Sequence, residues 1–169
     1  MKYKILSVLF LLNMHLSKAQ DALDISAAEI SFVFVNNDVD GTISGFSSSS
    51  TIDANNLENS KLEGSVEVAT IDTDNSIRNW SLRREKYFDA DNHPKITFVS
   101  NTIASDGDVL NVVGQLTIKG ITKKLTFKFK KTNKQLVGTA TLYSSDYGIH
   151  IKSERDKNKV NVKIVLHLK

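Results

Sequence analysis

The sequence contains no cysteine, one proline and eight glycines among its 169 residues. The lack of cysteine excludes disulfide bonds, thiolate metal sites and cysteine nucleophiles. The low proline and glycine contents exclude a collagen-like chain. Hydrophobic residues make up 40% and charged residues 24% of the chain, as in ordinary globular proteins. The length fits one domain that is stabilised by packing alone.

The first nineteen residues contain no acidic residue and predict a cleaved signal peptide. Lys2 and Lys4 precede an apolar run, residues 5–12, which is too short to span a bilayer. Ser17 and Ala19 place small residues at the two positions that signal peptidase reads. We therefore expect a signal peptide over residues 1–19 and a secreted or periplasmic domain over residues 20–169. The alternative for this segment is a buried N-terminal strand.

Charge is unevenly distributed along the predicted mature chain, although its 19 basic and 19 acidic residues balance. Residues 20–118 carry 6 basic and 16 acidic residues, whereas residues 119–169 carry 13 and 3. A balanced mature chain gives no reason to expect a nucleic-acid partner. The basic half indicates either a rim that meets an anionic head group or lipid surface, or a solvated lysine-rich face. A transient membrane contact and a homodimer are both compatible with this pattern.

Alternation of apolar and polar residues predicts about eight β-strands. The clearest run is residues 124–130, in which the odd positions are apolar and the even positions polar. The other predicted strands lie around residues 30–34, 41–46, 62–70, 96–98, 110–118, 136–142 and 160–168.

Short turn signals between these runs indicate antiparallel connections, for example Lys119-Gly120 and residues 105–108. One-sided patterning argues against a parallel sheet, whose strands are buried on both faces. Closing eight such strands into a barrel removes the exposed sheet edges and leaves an interior for one small ligand. The sequence therefore predicts an all-β, eight-stranded antiparallel barrel. A two-sheet sandwich is the rival fold.

One segment, residues 76–87, breaks the alternation and predicts a short helix. Ile77, Trp80 and, less regularly, Leu82 have helix-like spacing, and Asp72, Asp74 or Asn75-Ser76 offer capping oxygens. A helix across the mouth of a barrel would form a lid. Trp80 then either contacts a ligand or plugs the barrel base.

Inward-facing apolar residues are the candidates for lining a ligand tunnel. They are Phe32, Phe34, Val66, Val68, Ile96, Phe98, Leu116, Leu125 and Phe127. A continuous apolar lining would hold a long chain at about 0.8 kcal/mol per buried methylene, without a specific polar contact. An ordinary filled core would use the same residues, so periodicity leaves both interpretations open.

Three stretches resemble the YceI-like family of secreted or periplasmic lipid- and polyisoprenoid-binding proteins. Residues 75–89, NSIRNWSLRREKYFD, and 93–98, HPKITF, are similar to the family's arginine-to-leucine helix, its FFD and its YP-x-I-x-F. Residues 114–123, GQLTIKGITK, resemble its G-x-L-T-I-K-G-V-T-K, and residues 146–149, DYGI, its D-F/Y-G-I. The resemblance implies a lipocalin-like barrel whose apolar tunnel holds an isoprenoid or fatty-acid-like chain and performs no chemistry on it.

The resemblance has gaps at polar positions. Asn79 and Ser81 stand where relatives usually have an acid and a histidine, and Ser144-Ser145 lacks their asparagine-arginine pair. These losses put the head-group preference in doubt, but not the tunnel. Around the predicted helix, Trp80, Tyr87 and Phe88 suit a pocket mouth.

Three arginines, Arg78, Arg83 and Arg84, are candidates for an anionic head group. The alternative for them is solvent exposure, or pairing with Asp89 or Asp91. We favour the alternative for at least two of the three.

No local signature of catalysis or of a cofactor is present in the sequence. The mature chain has three histidines, His93, His150 and His167, at no metal-binding spacing. We therefore predict a non-catalytic protein without a cofactor or metal, which carries or sequesters a lipid or polyisoprenoid chain. The alternatives are a sandwich or filled barrel that binds a protein or glycan on its outside, and a hydrolase or isomerase acting on a bound chain.

Overall fold

The computed structural model describes residues 22–169, so the predicted signal peptide lies outside the described residues. The strands are β1 (Ala22–Leu23), β2 (Ile25–Phe34), β3 (Val39–Ile43), β4 (Ser47–Ser48), β5 (Ile52–Asp53), β6 (Glu63–Glu67), β7 (Lys95–Asp106), β8 (Val109–Ile118), β9 (Ile121–Thr132), β10 (Gln135–Tyr143) and β11 (Lys159–Leu168). The α-helix of this range is α1 (Ser76–Leu82). No helix within residues 22–169 has the length and apolarity needed to span a membrane.

Nine strands form one curled antiparallel sheet in the order β3-β2-β11-β10-β9-β8-β7-β6-β4, and β1 pairs separately with β5. The curled sheet closes on itself where Thr42 and Asp72 exchange two backbone hydrogen bonds, of 2.8 and 3.0 Å. The Glu67 N–H also donates to the Ser44 carbonyl at 3.0 Å. The predicted antiparallel barrel with one short helix is therefore confirmed, and a single continuous sheet excludes the two-sheet sandwich.

The ninth strand of the curled sheet, the short β1–β5 pair and two element boundaries differ from the sequence-based expectation. The ninth strand is β4, whose exposed serines pair with β6. The expected strand over residues 62–70 ends at Glu67, because Val68 begins a 3-10 turn and its N–H donates to the Pro94 carbonyl. The expected helix over residues 76–87 ends at Leu82, whose carbonyl accepts from Phe88 as the chain folds back.

The two ends of the barrel are built from different connections. We call one the turn end, because the tight β7–β8 and β9–β10 turns lie there, at residues 107–108 and 133–134. We call the other the helix end, because it carries α1, the β8–β9 turn and the segment 144–158 between β10 and β11. The β8–β9 turn is Lys119-Gly120, with φ of 51° and 73°, as two-residue hairpin turns require.

Candidate functional site: an apolar cavity in the barrel

An apolar cavity of about 340 Å³ runs through the barrel interior. Its lining extends from Ile25 and Leu62, near the turn end, to Arg78 and Ile151 at the helix end. Within this lining the exposed residues are Asn37 and Ile151, so the cavity reaches the surface at the helix end. The volume lies within the range of small-molecule pockets, about 300–1,000 Å³.

The walls of the cavity differ in how tightly they pack. We call β8, β9 and β10 the packed wall, because their inward apolar side chains are buried, as Val112 (1% exposed) and Leu136 (2%) illustrate. We call β2 and β11 the cavity wall, because inward residues such as Ile30, Val162 and Ile164 are only partly buried and line the cavity. The cavity therefore borders both walls, but inward side chains on β2 and β11 leave more of their surface exposed to it.

Most of the residues predicted to contact a ligand lie in the lining. These are Phe32, Phe34, Val66, Arg78, Leu82, Phe88, Ile96, Phe98, Leu116 and Phe127. The other predicted residues lie outside it. Val68 packs with Ile43 and Ile71, Leu125 is buried in the main core, and Tyr87 packs against that core. Trp80 is 60% exposed on the outer side of α1, so it neither lines the cavity nor plugs the barrel.

Glycines on neighbouring strands position two phenylalanine rings of the lining. Phe32 lies across the β2–β3 pair from Gly41, and Phe98 packs over Gly114 of β8. A Cβ atom at either glycine would overlap the ring. The edge of the Phe98 ring meets Phe127 at a centroid distance of 5.2 Å. These glycines therefore hold the rings against the sheet, where they leave space in the interior.

A polar network attaches α1 to the barrel beside the mouth. Asn75 caps the helix, because its side chain accepts from the Arg78 N–H at 2.9 Å. Asn79 accepts from the Thr73 N–H and hydroxyl at 2.9 and 2.7 Å and donates to Asp72 at 2.8 Å. This hydrogen bond holds the pKa of the Asp72 carboxyl below its usual value. Asn79, at a position where the resemblance leads us to expect an acid, thus fastens the helix.

Within residues 22–169, Arg78 is the only basic residue that lines the cavity. Its Nε and one Nη donate to the Thr73 hydroxyl and carbonyl, both at 2.7 Å. Thr73 is 4% exposed and also lines the cavity. Within the described part of the chain Arg78 forms no ion pair. Its guanidinium group is therefore oriented by hydrogen bonds to Thr73, and its positive charge has no carboxylate partner there.

The other two candidate arginines lie outside the cavity lining. Arg83 donates to the Ile71 carbonyl at 3.1 Å, while its Nε is buried with no hydrogen bond among the described residues. Arg84 is exposed and lies 4.7 Å from the centroid of the Trp80 ring. Within residues 22–169 neither forms the alternative ion pair with Asp89 or Asp91, and Asp89 contacts Asn92 and His93 instead.

The segment 144–158 contributes Ser144, Ile149 and Ile151 to the cavity lining at the helix end. Asn158 is fully buried, and its side chain accepts from the Ile151 and Lys152 N–H groups and donates to the Lys152 and Glu154 carbonyls. Arg155 binds Asp146 with two hydrogen bonds of 2.8 and 2.7 Å, which lower the pKa of that carboxyl. Burial raises the pKa of the neighbouring Tyr147 to about 12.

Sequence reasoning left several lining residues out of the candidate set. Val160, Val162 and Ile164 lie on the apolar face of the last predicted strand, and Phe129 alternates with Phe127. Alternation was therefore a sufficient signal for these four. Ser144 and Ile149 come from irregular loops, for which periodicity offers no signal.

The acidic and histidine side chains of residues 22–169 show no metal-binding arrangement. No three His, Cys, Asp or Glu side chains in this range are placed to hold a metal ion. The Nε2 atom of His93 lies 4.0 Å from Asp89, and neither His93 nor His150 has a hydrogen bond to a hydroxyl group in this range.

Comparison with known proteins relates the whole described chain to one family. A model described as the YceI-like domain matches residues 22–169. "Protein YceI" of Shigella flexneri is 31% identical over 90 residues, which cover 53% of this chain and 47% of the relative. The chain thus aligns with about half the length of such relatives.

Solved structures show the same fold at lower identity. BcnA of Burkholderia cenocepacia superposes with a TM-score of 0.74 at 24% identity, over 87% of this chain and 99% of that one. A domain from Saccharophagus degradans, described as polyisoprenoid-binding and implicated in plant cell wall breakdown, gives 0.61 at 15% identity, over 88% and 97%. The YceI protein of Campylobacter jejuni gives 0.67 at 19% identity, over 78% and 84%.

Proposed function

The chain belongs to the YceI-like family, and on that premise we propose that it binds one lipid or polyisoprenoid chain in its barrel cavity and carries or sequesters it without chemical change. The observation that carries the proposal is the cavity of about 340 Å³, whose lining is predominantly apolar. The structural neighbour described as a polyisoprenoid-binding domain supports the choice of ligand class. Export of the mature chain to the periplasm belongs to the same proposal.

The binding energy would come from burial of the chain. Each methylene removed from water contributes about 0.8 kcal/mol, so ten of them contribute roughly 8 kcal/mol before the cost of ordering the ligand is subtracted. Such a site needs no specific contact along the chain. It therefore selects for length and thickness rather than for chemical groups.

Arg78 would select the head group. It lies in the lining and is oriented by Thr73, without an ion pair among residues 22–169. A guanidinium at the edge of an apolar cavity suits a carboxylate or phosphate, whose oxygens accept paired hydrogen bonds. We therefore propose an anionic head group at the helix end, with the chain extending toward Ile25.

Titration with an environment-sensitive fluorescent fatty acid tests the proposal. Val162→Phe should fill the cavity from β11 and weaken binding at least about tenfold, whereas Lys163→Phe, on the exposed face of the same strand, should not. Thermal unfolding of both variants shows whether the fold is retained. Unchanged affinity in a folded Val162→Phe variant would contradict the proposed site.

A second titration separates the contribution of the head group to binding from that of the apolar chain. Arg78→Gln should weaken the binding of a fatty acid roughly tenfold, because a hydrogen bond to a charged group contributes about 1.5–3 kcal/mol. The affinity for the matching neutral alcohol should not change. Arg84→Gln, on an exposed residue outside the lining, is the control. Equal losses for acid and alcohol would show that Arg78 acts only through the packing of the helix.

A further inference from the structure

The large apolar side chains that the described residues leave exposed all lie at the helix end of the barrel. They are Val35, Ile77, Trp80, Ile121 and Ile151, with exposed fractions of 42, 79, 60, 37 and 38%. Val35 follows β2, Ile77 and Trp80 belong to α1, Ile121 begins β9, and Ile151 follows β10. We call these five residues the apolar rim.

The turn end has the opposite chemistry. Its tight turns consist of Gly107-Asp108 and Asn133-Lys134, and the segment 54–60 beside them contains three asparagines and a glutamate. The Glu58 side chain accepts from the Ser105 N–H at 2.6 Å, so even this connection is held by polar contacts. Scattered exposed apolar residues are normal on protein surfaces, but their concentration at one end needs an explanation.

The rim coincides with the mouth of the cavity. Ile151 belongs both to the rim and to the cavity lining, and α1 presents Arg78 and Leu82 to the cavity while it exposes Ile77 and Trp80 on its other side. A long-chain ligand is itself insoluble and resides in membranes. It can pass between bilayer and cavity without crossing water only if the mouth faces the lipid.

Basic side chains accompany two of the rim residues, Trp80 and Ile121. Arg84 lies over the Trp80 ring at 4.7 Å. Ile121 sits in a stretch, residues 119–124, that contains Lys119, Lys123 and Lys124 and no acid. A tryptophan and aliphatic side chains flanked by lysine and arginine are typical of surfaces that lie in the membrane interface, where the charges meet anionic head groups.

We propose that the helix end is a membrane-docking surface, which seats the apolar rim in the interface of an anionic bilayer and places the cavity mouth on the lipid. This inference rests on the proposed function, since the seated mouth is useful only for a lipid ligand. It accounts for three features together: the position of the exposed apolar residues, the position of the mouth, and the basic residues beside them.

Vesicle flotation tests this surface directly. Protein purified after expression of the full 169-residue sequence is mixed with phosphatidylcholine vesicles with or without phosphatidylglycerol. We expect binding that requires the anionic lipid and weakens with salt. The Ile77→Ser/Ile121→Ser variant, which leaves the cavity lining intact, should bind roughly tenfold less. Lys123→Ser should bind less than Lys134→Ser, which removes the same charge at the turn end.

The titration with a fluorescent fatty acid in solution separates this inference from the proposed function. Chain binding that persists in the Ile77→Ser/Ile121→Ser variant, together with lost vesicle binding, supports the docking surface. Chain binding by the wild type without vesicle binding overturns the docking surface alone. Vesicle binding without chain binding supports the surface and overturns the proposed function. Concentration-dependent dimerisation that the variant abolishes, with no vesicle binding, would assign the rim to a second copy and overturn membrane docking.

Discussion

The packed wall and the cavity wall belong to the same sheet, yet they use their apolar residues differently. On β9, Phe127 and Phe129 are each 3% exposed and lie against one another at a centroid distance of 5.8 Å. On β11, Val162 and Ile164 face the same interior but remain partly exposed to the cavity. This difference shows that an alternating sequence pattern identifies the apolar face of a strand. The pattern does not indicate whether the interior beside that face is fully packed or contains a cavity.

Aromatic volume explains much of the contrast. The packed wall faces the interior with Phe127 and Phe129, whereas the inward positions of β11 carry only Val160, Val162, Ile164 and leucines. The aliphatic side chains of β11 extend less far into the interior than the phenylalanine rings of β9. β11 therefore leaves room in the interior, which Phe32 and Phe34 of β2 also border.

The largest expected effect follows from a charge placed on the packed wall. Phe127→Asp buries a carboxylate that has no partner, so we expect the free energy of unfolding to fall by roughly 4–5 kcal/mol or more, with loss of ligand binding. Urea denaturation measures this loss, and Lys128→Asp, on the exposed face of the same strand, is the control. Thermal stability equal to that of the wild type would show that the odd-numbered face of β9 is not interior.

A matched pair of truncations compares the two walls directly. Leu136→Ala opens a void in the packed wall and should cost about 2–5 kcal/mol. Ile164→Ala removes a side chain that already borders empty space, so we expect a cost nearer 1 kcal/mol, since part of its surface is not packed. Equal losses of unfolding free energy for the two variants would argue that a filled core surrounds both positions.

Acid pH should weaken the mouth side of the barrel through Asp146. Its carboxyl has a pKa below the ordinary value of 3.8, because Arg155 binds it with two hydrogen bonds. Stability from this pair is complete above the unfolded-state pKa and is lost as the pH falls through the lowered folded-state value. Asp146→Asn should therefore cost about 1 kcal/mol at neutral pH and progressively less in acid. A cost that does not change with pH would assign the effect to packing.

The mildest change narrows the cavity by enlarging one aromatic ring of its lining. Phe98→Trp enlarges a ring that lies between Gly114 and the interior, so we expect the preferred ligand to become shorter while the fold is retained. Competition between fatty acids of increasing length measures this shift. An unchanged length preference would show that Phe98 does not contact the chain.

Alternation and turn chemistry predicted the barrel, and most of the residues predicted to contact a ligand do line its cavity. The strong periodicity of β8 to β11 left little ambiguity, because most inward positions are apolar and most of their neighbours are polar, although Val109, Val113, Val137 and Val165 depart from the pattern. Val68 was misplaced on a strand because a 3-10 turn also carries an apolar residue inward. Trp80 was ambiguous because helix-like spacing does not say which side of a seven-residue helix faces the barrel.

Arg78 and the capping Asn75 were sequence candidates, but two other polar residues of the site, Asn79 and Asn158, were beyond sequence reasoning for a different reason. Asn79 holds Thr73 and Asp72, and Asn158 organises the loop beside the mouth, but both act through contacts that only the folded chain brings together. Asparagines in charged or polar stretches carry no periodic signal. Irregular backbone at the helix end is therefore where the sequence was least informative.

Native mass spectrometry of the purified protein, followed by solvent extraction, tests the central claim that the cavity holds a lipid chain. We expect a stoichiometric excess mass that extracts as a long-chain lipid or polyprenyl compound and that the Val162→Phe variant lacks. A bare protein mass, unchanged after incubation with a mixed lipid extract, would contradict the claim and direct the search for function to the outer surface of the barrel.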